Sequence, residues 1–173
     1  GFSCPAYSID ENEHTLSITT ARLRLELNRA SGSLRVTDPR GRLLVEDSPL
    51  AAMARDTKTS RIRHRTMLRD NELLMGFGEK SGRLIKNGRR LRMMDVDVMG
   101  YNARTQDPLY KNIPFYLRVS PDRRTVCGVL YDNLAVSQFD AGHSRRDMLE
   151  WQAVDGDLDY YIIAGPDPKD PNT

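Results

Sequence analysis

Residues 18–46 read ITTARLRLELNRASGSLRVTDPRGRLLVE. Ala21, Leu23, Leu25 and Leu27 alternate with Arg22, Arg24 and Glu26. A period of two puts the apolar side chains on one face of an extended strand and the charges on the other. Ala30-Ser31-Gly32-Ser33 then reads as a turn, and Leu34-Arg35-Val36-Thr37 as the returning strand. Asp38-Pro39-Arg40-Gly41 makes the next turn, where proline fixes φ and glycine permits positive φ. Residues 42–46 give a third strand. The three predict a meander.

The same period runs outward through the chain. Strands are expected at 59–68, 72–76, 89–95, 115–119, 125–131, 135–139, 148–153 and 158–164. Turn signals separate several of them: Arg69-Asp70-Asn71, Lys86-Asn87-Gly88, Pro121-Asp122-Arg123 and Asp155-Gly156-Asp157. Many short strands at regular spacing predict an all-β fold, a large two-sheet β-sandwich with little or no helix. The one helix candidate, residues 51–56, is too short to matter. Residues 1–165 are expected to form one domain. Residues 166–173, with prolines at 166, 168 and 171, read as a linker.

Composition narrows the classes of function. Across 173 residues, 39% hydrophobic content suffices for one core, and 29% charged residues predicts a well-solvated surface. A net charge of +2, from 26 basic and 24 acidic side chains, is too balanced for a polyanionic partner, so no nucleic acid is expected. No apolar run approaches the roughly 20 residues that span a bilayer, so no membrane partner is expected. The opening GFSCPAYSID carries no basic segment followed by an apolar stretch, which points to a cytoplasmic location. Cys4 and Cys127 are too few for a disulfide framework and lack metal-site spacing. Cys127 lies in the apolar run 126–131 and reads as a buried, inert thiol. A reducing compartment is the expectation that follows.

Several motifs admit a sharper and a plainer reading. In Gly76-Phe77-Gly78-Glu79-Lys80-Ser81-Gly82 the third glycine comes one place too late for a dinucleotide loop, and a strand follows where a phosphate cradle needs a helix. A tight turn is the better account. Arg61, Arg63 and Arg65 line one strand face, and Arg89, Arg90 and Arg92 form a second basic run. Neither has the interleaved aromatics of a single-strand binder, so both read as a sheet face that is solvated or covered by a partner domain. His14, His64 and His143 are too scattered for a metal site or a triad, and no cofactor is implied. Residues 96–112 form the longest stretch without strand character. They carry Asp97, Tyr101, Asn102, Arg104, Gln106, Asp107, Tyr110 and Lys111. Such carboxylates, amides and rings suit a sugar's hydroxyls and faces, while Pro108 and Tyr110 could equally serve to pin the loop.

The run 76–116, GFGEKSGRLIKNGRRLRMMDVDVMGYNARTQDPLYKNIPFY, is joined downstream by Gly128-Val129-Leu130-Tyr131-Asp132-Asn133, Phe139-Asp140-Ala141-Gly142 and residues 156–165. In order and spacing these resemble the N-terminal β-domain of glycoside hydrolase family 31, the α-glucosidase and α-xylosidase group. The resemblance extends from about Ile18 to Lys169. It implies a galactose mutarotase-like sandwich whose proline segment leads into a catalytic (β/α)8 barrel. That barrel, with its aspartate nucleophile and aspartate acid, is outside this sequence. The implied partners are therefore the barrel of the same polypeptide and a carbohydrate substrate, with residues 83–111 as part of the surface the barrel would cover.

The resemblance also places Asp97 on the third residue of the family's Asn-x-Asp, a carboxylate hydrogen-bonded to substrate hydroxyls. Asp97 and Tyr101 are thus the expected substrate-binding residues. Met94 stands where an aromatic is common, and Asp95 where Asn is common. A second reading keeps Asp97 within its own loop, bonding a backbone N–H near Met99. Asp95 and Asp97 should share one side of an extended segment, with Cβ atoms near 7 Å apart. A glycosidase pair must approach the bond from different sides, at about 5–5.5 Å in retaining enzymes. No catalytic residue is assigned, and the chain alone is expected to be inactive. The alternatives are a free-standing carbohydrate-binding module and a mutarotase-like epimerase, whose histidine and glutamate chemistry finds no matching motif here.

Overall fold

The computed structural model describes residues 4–100 and 102–165. The first sheet is a sequential antiparallel meander of β1 (Tyr7–Glu11), β2 (Thr15–Thr20), β3 (Arg24–Asn28), β4 (Leu34–Thr37) and β5 (Leu43–Glu46). The alternation over 18–27 is therefore divided between two strands. Thr20 makes the break. Its Oγ1 accepts the Leu23 N–H at 2.9 Å, and its own N–H donates to Leu23 O at 2.8 Å. A threonine hydroxyl that satisfies backbone locally competes with the ladder. β1 has no buried face, all five residues being exposed, so it leaves no alternation to read. The turn at Asp38 forms as its sequence predicts. The carboxylate accepts the N–H groups of Arg40 at 2.9 Å and Arg42 at 2.8 Å, and Gly41 takes a φ of 77°.

The second sheet runs β6 (Met53–Arg55), β7 (Ile62–Met67), β13 (Met148–Ala153), β12 (Ser137–Ala141) and β9 (Arg89–Met93). The third runs β14 (Tyr160–Ala164), β11 (Val126–Tyr131), β10 (Phe115–Val119) and β8 (Leu73–Gly76). Every named pairing in the three sheets is antiparallel, and no helix occurs among the described residues. The short helix candidate at 51–56 is instead the edge strand β6, whose Met53 pairs with His64 and Arg55 with Ile62. Pairing to a free sheet edge overrides weak local preference. The first sheet continues into the second through an Asp47–Thr66 bridge and a Ser48 N–H to Arg65 O bond of 2.9 Å. The predicted sandwich thus closes as three hydrogen-bonded sheets around one core.

That core is aromatic at its centre. Phe77 stacks on Tyr116 at 5.0 Å, and Tyr131 on Trp151 at 4.3 Å. Phe139 meets the edges of Phe77, Tyr116 and Tyr131 at 5.0–5.6 Å. All five are fully buried. Phe139 and Trp151 come from the second sheet and Tyr116 and Tyr131 from the third, so the rings hold two layers together. Cys127 is buried beside them with its thiol pushed up to about 11 by burial, which keeps it protonated and unreactive.

Two polar networks cross this core. His64 Nε2 lies 2.9 Å from Asp47 Oδ1, and His64 Nδ1 lies 2.7 Å from the Tyr131 hydroxyl. The other Asp47 oxygen accepts the Leu34 N–H at 2.9 Å. In the second network Arg118 grips Glu72 through Nε at 2.9 Å and Nη2 at 3.0 Å, and Nη1 reaches Thr66 Oγ1 at 3.1 Å. Arg69 adds a further contact to Glu72 at 3.0 Å and donates to Leu43 O at 2.9 Å. Burial alone would raise the Glu72 pKa, but Arg118 and Arg69 outweigh it and hold the carboxyl below its ordinary range.

Because that pKa is depressed on folding, the pair's stabilisation is present above the ordinary Glu value of 4.5 and is lost as pH falls through the lower folded value. Glu72→Gln leaves Arg118 charged and buried without its carboxylate. It should cost about 3–5 kcal/mol near neutral pH. The difference from the unsubstituted chain should shrink as pH drops below 4.5. Urea unfolding at pH 7 and pH 3 checks both; a difference independent of pH would show that the charge on Glu72 is not what matters.

Candidate functional site

The stretch between Met93 and Phe115 leaves the sheets and returns, and its course is set by side chains that hold it down. The turn below it, at 76–78, has φ of 95° at Gly76, 64° at Phe77 and 68° at Gly78. Positive φ at a phenylalanine is strained, at about 1–3 kcal/mol. Burying its ring in the aromatic core returns a comparable amount. Gly78 sits so close to the loop's end that a Cβ there would lie 2.8 Å from Ile113 Cβ. The turn is a seat for the loop, in agreement with the tight-turn reading.

Beyond the turn, Lys80 is the main strut. Its side chain is wholly enclosed, and Nζ lies 3.1 Å from Asp107 Oδ1 while also donating to Arg92 O. The other Asp107 oxygen accepts the Arg92 N–H at 2.8 Å, and Asp107 O accepts from Arg92 Nη2 at 3.1 Å. The Asp107–Pro108 peptide is cis. Lys86 underpins the same region by donating to Lys80 O at 3.1 Å and Ser81 O at 3.0 Å. Burial and the nearby Arg89 hold its ammonium below lysine's ordinary range. Gly82 N–H reaches across to Ala103 O at 2.8 Å.

Most of the loop's polar residues prove to be internal fasteners. Asp95 accepts the Asn112 N–H at 2.8 Å, which draws the chain out of β9 at Met94 and ends the strand earlier than the pattern predicts. Asn112 Nδ2 donates to Leu134 O at 2.9 Å. The Tyr110 hydroxyl donates to Val98 O at 3.0 Å, Asn102 Oδ1 accepts from Arg104 N at 3.0 Å, and Lys111 pairs with Glu79 at 2.8 Å. Asp97 differs. It is exposed and has no hydrogen bond or ion pair to any described residue, the Met99 N–H included. Tyr101 lies outside the described residues. A hollow of about 480 Å³ at the loop's base is lined by Glu79, Lys80, Leu109 and Tyr110. Another of about 450 Å³ lies away from the loop, on the first sheet near Glu26 and Arg35. No group of three or more potential metal ligands occurs among the described residues.

Two downstream motifs also resolve into geometry. Asn133 Nδ2 donates to Asp155 O and Asp157 O, both at 3.0 Å, and Gly156 is obligatory there because a Cβ would fall 2.6 Å from Asn133 Nδ2. Asp140 caps its turn by accepting His143 N–H at 2.8 Å and Ser144 N–H at 3.0 Å, and it also takes Arg90 Nε at 3.1 Å. Burial works against its ionisation, but the Ser144, Arg90 and His143 contacts prevail and lower its pKa. Both motif residues are therefore structural. The sequence carries no signal of the strut role of Lys80, since no local pattern pairs it with a residue 27 positions on.

A model of the glycosyl hydrolase 31 N-terminal galactose mutarotase-like domain matches residues 3–140. The chain belongs to that family. It is 32% identical over 163 residues to alpha-glucosidase 2 of Bacillus thermoamyloliquefaciens, covering 94% of this chain and 20% of that protein. It is 28% identical over 171 residues to the alpha-xylosidase XylQ of Lactiplantibacillus pentosus, covering 96% and 21%. Among solved structures, the GH31 dextranase FjDex31A of Flavobacterium johnsoniae, complexed with glucose, superposes with a TM-score of 0.83 at 32% identity, covering 93% of this chain and 19% of that one. This family domain thus spans about a fifth of the length of the relatives it matches.

If Asp107 is the anchor described, Asp107→Ala removes a charge-assisted partner from Lys80 and from Arg92 N–H. The cost should be about 1.5–3 kcal/mol, with faster amide exchange across residues 102–112. Chemical denaturation and hydrogen exchange measure the two. Unchanged exchange would mean that the loop is held by its other contacts alone.

Proposed function

We propose that this chain is the non-catalytic N-terminal domain of an α-glucosidase-like enzyme acting on α-linked glycosides. It packs against a catalytic domain of the same polypeptide and presents Asp97 to the substrate. The supporting observation is selective. Of the loop's carboxylates, Asp95 and Asp107 are bound into the structure, while Asp97 is exposed and unbonded between two fasteners, Asp95–Asn112 and Tyr110–Val98. A carboxylate held at a fixed place without an internal partner is free to accept from a ligand's hydroxyls. The described residues of the loop form one wall around an open hollow, and on this reading a second body supplies the other wall and the catalytic groups. The relatives, each about five times longer than this chain, have room for that body. Tyr101, beside Gly100 in the same loop, is proposed as the second substrate contact.

The test uses the full-length polypeptide with aryl α-glucoside and α-xyloside. Asp97→Ala should lower kcat/KM by about ten- to a hundred-fold, the loss of a hydrogen bond to a charged group, at unchanged melting temperature. Asp95→Ala should lower the melting temperature, because the Asn112 N–H loses its acceptor. The 173-residue chain alone should show no turnover. An unchanged kcat/KM in Asp97→Ala would remove Asp97 from the site.

A further inference from the structure

The third sheet has an outer face that differs from the rule for a solvated antiparallel sheet. Register fixes which residues share it. Phe115, Leu130 and Tyr161 form one cross-strand row, and Met75, Leu117 and Ile163 lie in the next. Neither row contains a charged residue. The second sheet provides the contrast within the same molecule. There Arg90, Asp140, Glu150 and Arg65 form one outer row, with Arg65 and Arg90 salt-bridged to Glu150 and Asp140. An antiparallel sheet with one wet face normally shows that polar pattern. On the third sheet Tyr161 is 51% exposed and Ile163 50%.

This apolar face is also made flat. Gly128 lies between Leu117 and Ile163 in the second row. A Cβ at Gly128 would fall 2.8 Å from Phe115 Cε2, so the missing side chain lets the Phe115 ring lie against the sheet. Four strands at about 4.8 Å spacing and two to three outward rows give a platform of about 300 Å². A patch of this order is about the size of the largest apolar patch on a typical monomer, and such patches are often functional.

We propose that the outer face of the β14–β11–β10–β8 sheet is where the domain following this one in the same polypeptide docks. The proposal rests on the reading above that such a domain follows. Two observations favour this occupant. β14 is an edge strand of this very sheet and ends at Ala164, so Gly165, where the described residues end, lies at the rim of the platform. The face is also too small for a second copy, since a stable dimer buries about 800 Å² on each partner. A tethered domain needs less, because the link supplies a high effective concentration, and interfaces within one chain start near 600 Å² in total. The platform extends the covered surface to a sheet face well separated in sequence from residues 83–111.

Thiol labelling of the full-length polypeptide tests this. Ile163→Cys and, on the outer face of the second sheet, Gln152→Cys are introduced separately in a Cys4→Ser background. Each rate of maleimide modification is normalised to the same protein in denaturant, and Tyr161→Cys serves if Ile163→Cys does not fold. Ile163→Cys should react at least about tenfold more slowly than Gln152→Cys, although both positions are exposed in the domain described here. Equal rates would overturn the proposal, as would protection that fades on dilution, which would mean a second copy. Activity of the unsubstituted protein on α-glycosides is measured alongside. An active enzyme with an open Ile163 sinks the docking face alone, and an inactive one with Ile163 covered sinks the functional reading alone.

Discussion

His64 is where the three sheets are made to agree. It sits on β7 of the second sheet, takes Asp47 from the chain just beyond the first sheet, and meets Tyr131 of the third. All three side chains are at most 2% exposed. In so dry a place each polar atom needs its partner, because an unpaired buried group costs several kcal/mol while a paired one contributes little net. The asymmetry turns three side chains into a gauge of register. A slip of one residue in β7 would send His64 to the arginine-bearing outer face and bury Arg63 or Arg65 in its stead. Apolar side chains would tolerate a range of sheet-to-sheet placements; this contact tolerates one.

Arg118 and Glu72 apply the same logic at the other side of the core. Their bidentate pair ties β10 to the turn before β8, and Thr66 and Arg69 draw in β7 and β5. A buried ion pair is weak evidence for stability, because desolvation offsets most of the attraction. What it supplies here is alignment of strands from all three sheets. The aromatic stack of Phe77, Tyr116, Phe139, Tyr131 and Trp151 then fills the space between the two polar fixtures.

The extent to which the sequence could be read follows from this division. Alternation at 34–46, 115–119 and 148–153 announced strands because one side of each faces the apolar core. β1 and β6 escaped notice because edge pairing, a non-local event, is what makes them strands. His64 and Arg118 carried no local signal at all. Their partners lie 17 and 46 residues distant, and a buried arginine on an apolar strand looks in sequence like one on a wet face. The loop shows the same limit. Composition marked Asp97 and Asp107 alike; the resemblance to the family singled out Asp97, and only the fold shows that Asp107 is spent on Arg92 and Lys80, as the neighbouring Asp95 is on Asn112.

Under the proposed function, those fastenings bear on what this domain would contribute to a reaction carried out elsewhere in the polypeptide. A contact made by a floppy loop must offset the entropy of ordering that loop, about 1–2 kcal/mol for each backbone residue fixed, and this would consume most of what one hydrogen bond provides. Here the ordering is done at folding. The core fixes Phe77, Gly78 abuts Ile113 at the loop's return, Lys80 holds Asp107, and the bonds at Asp95 and Val98 bracket Asp97 on either side. Under the proposed function, a carboxylate delivered in this way would meet its ligand already in place, and more of its hydrogen-bond energy would remain for discrimination. The rigidity of the sandwich and the reach of the loop are thus one design: packing from His64 and Arg118 outward sets where Asp97 stands.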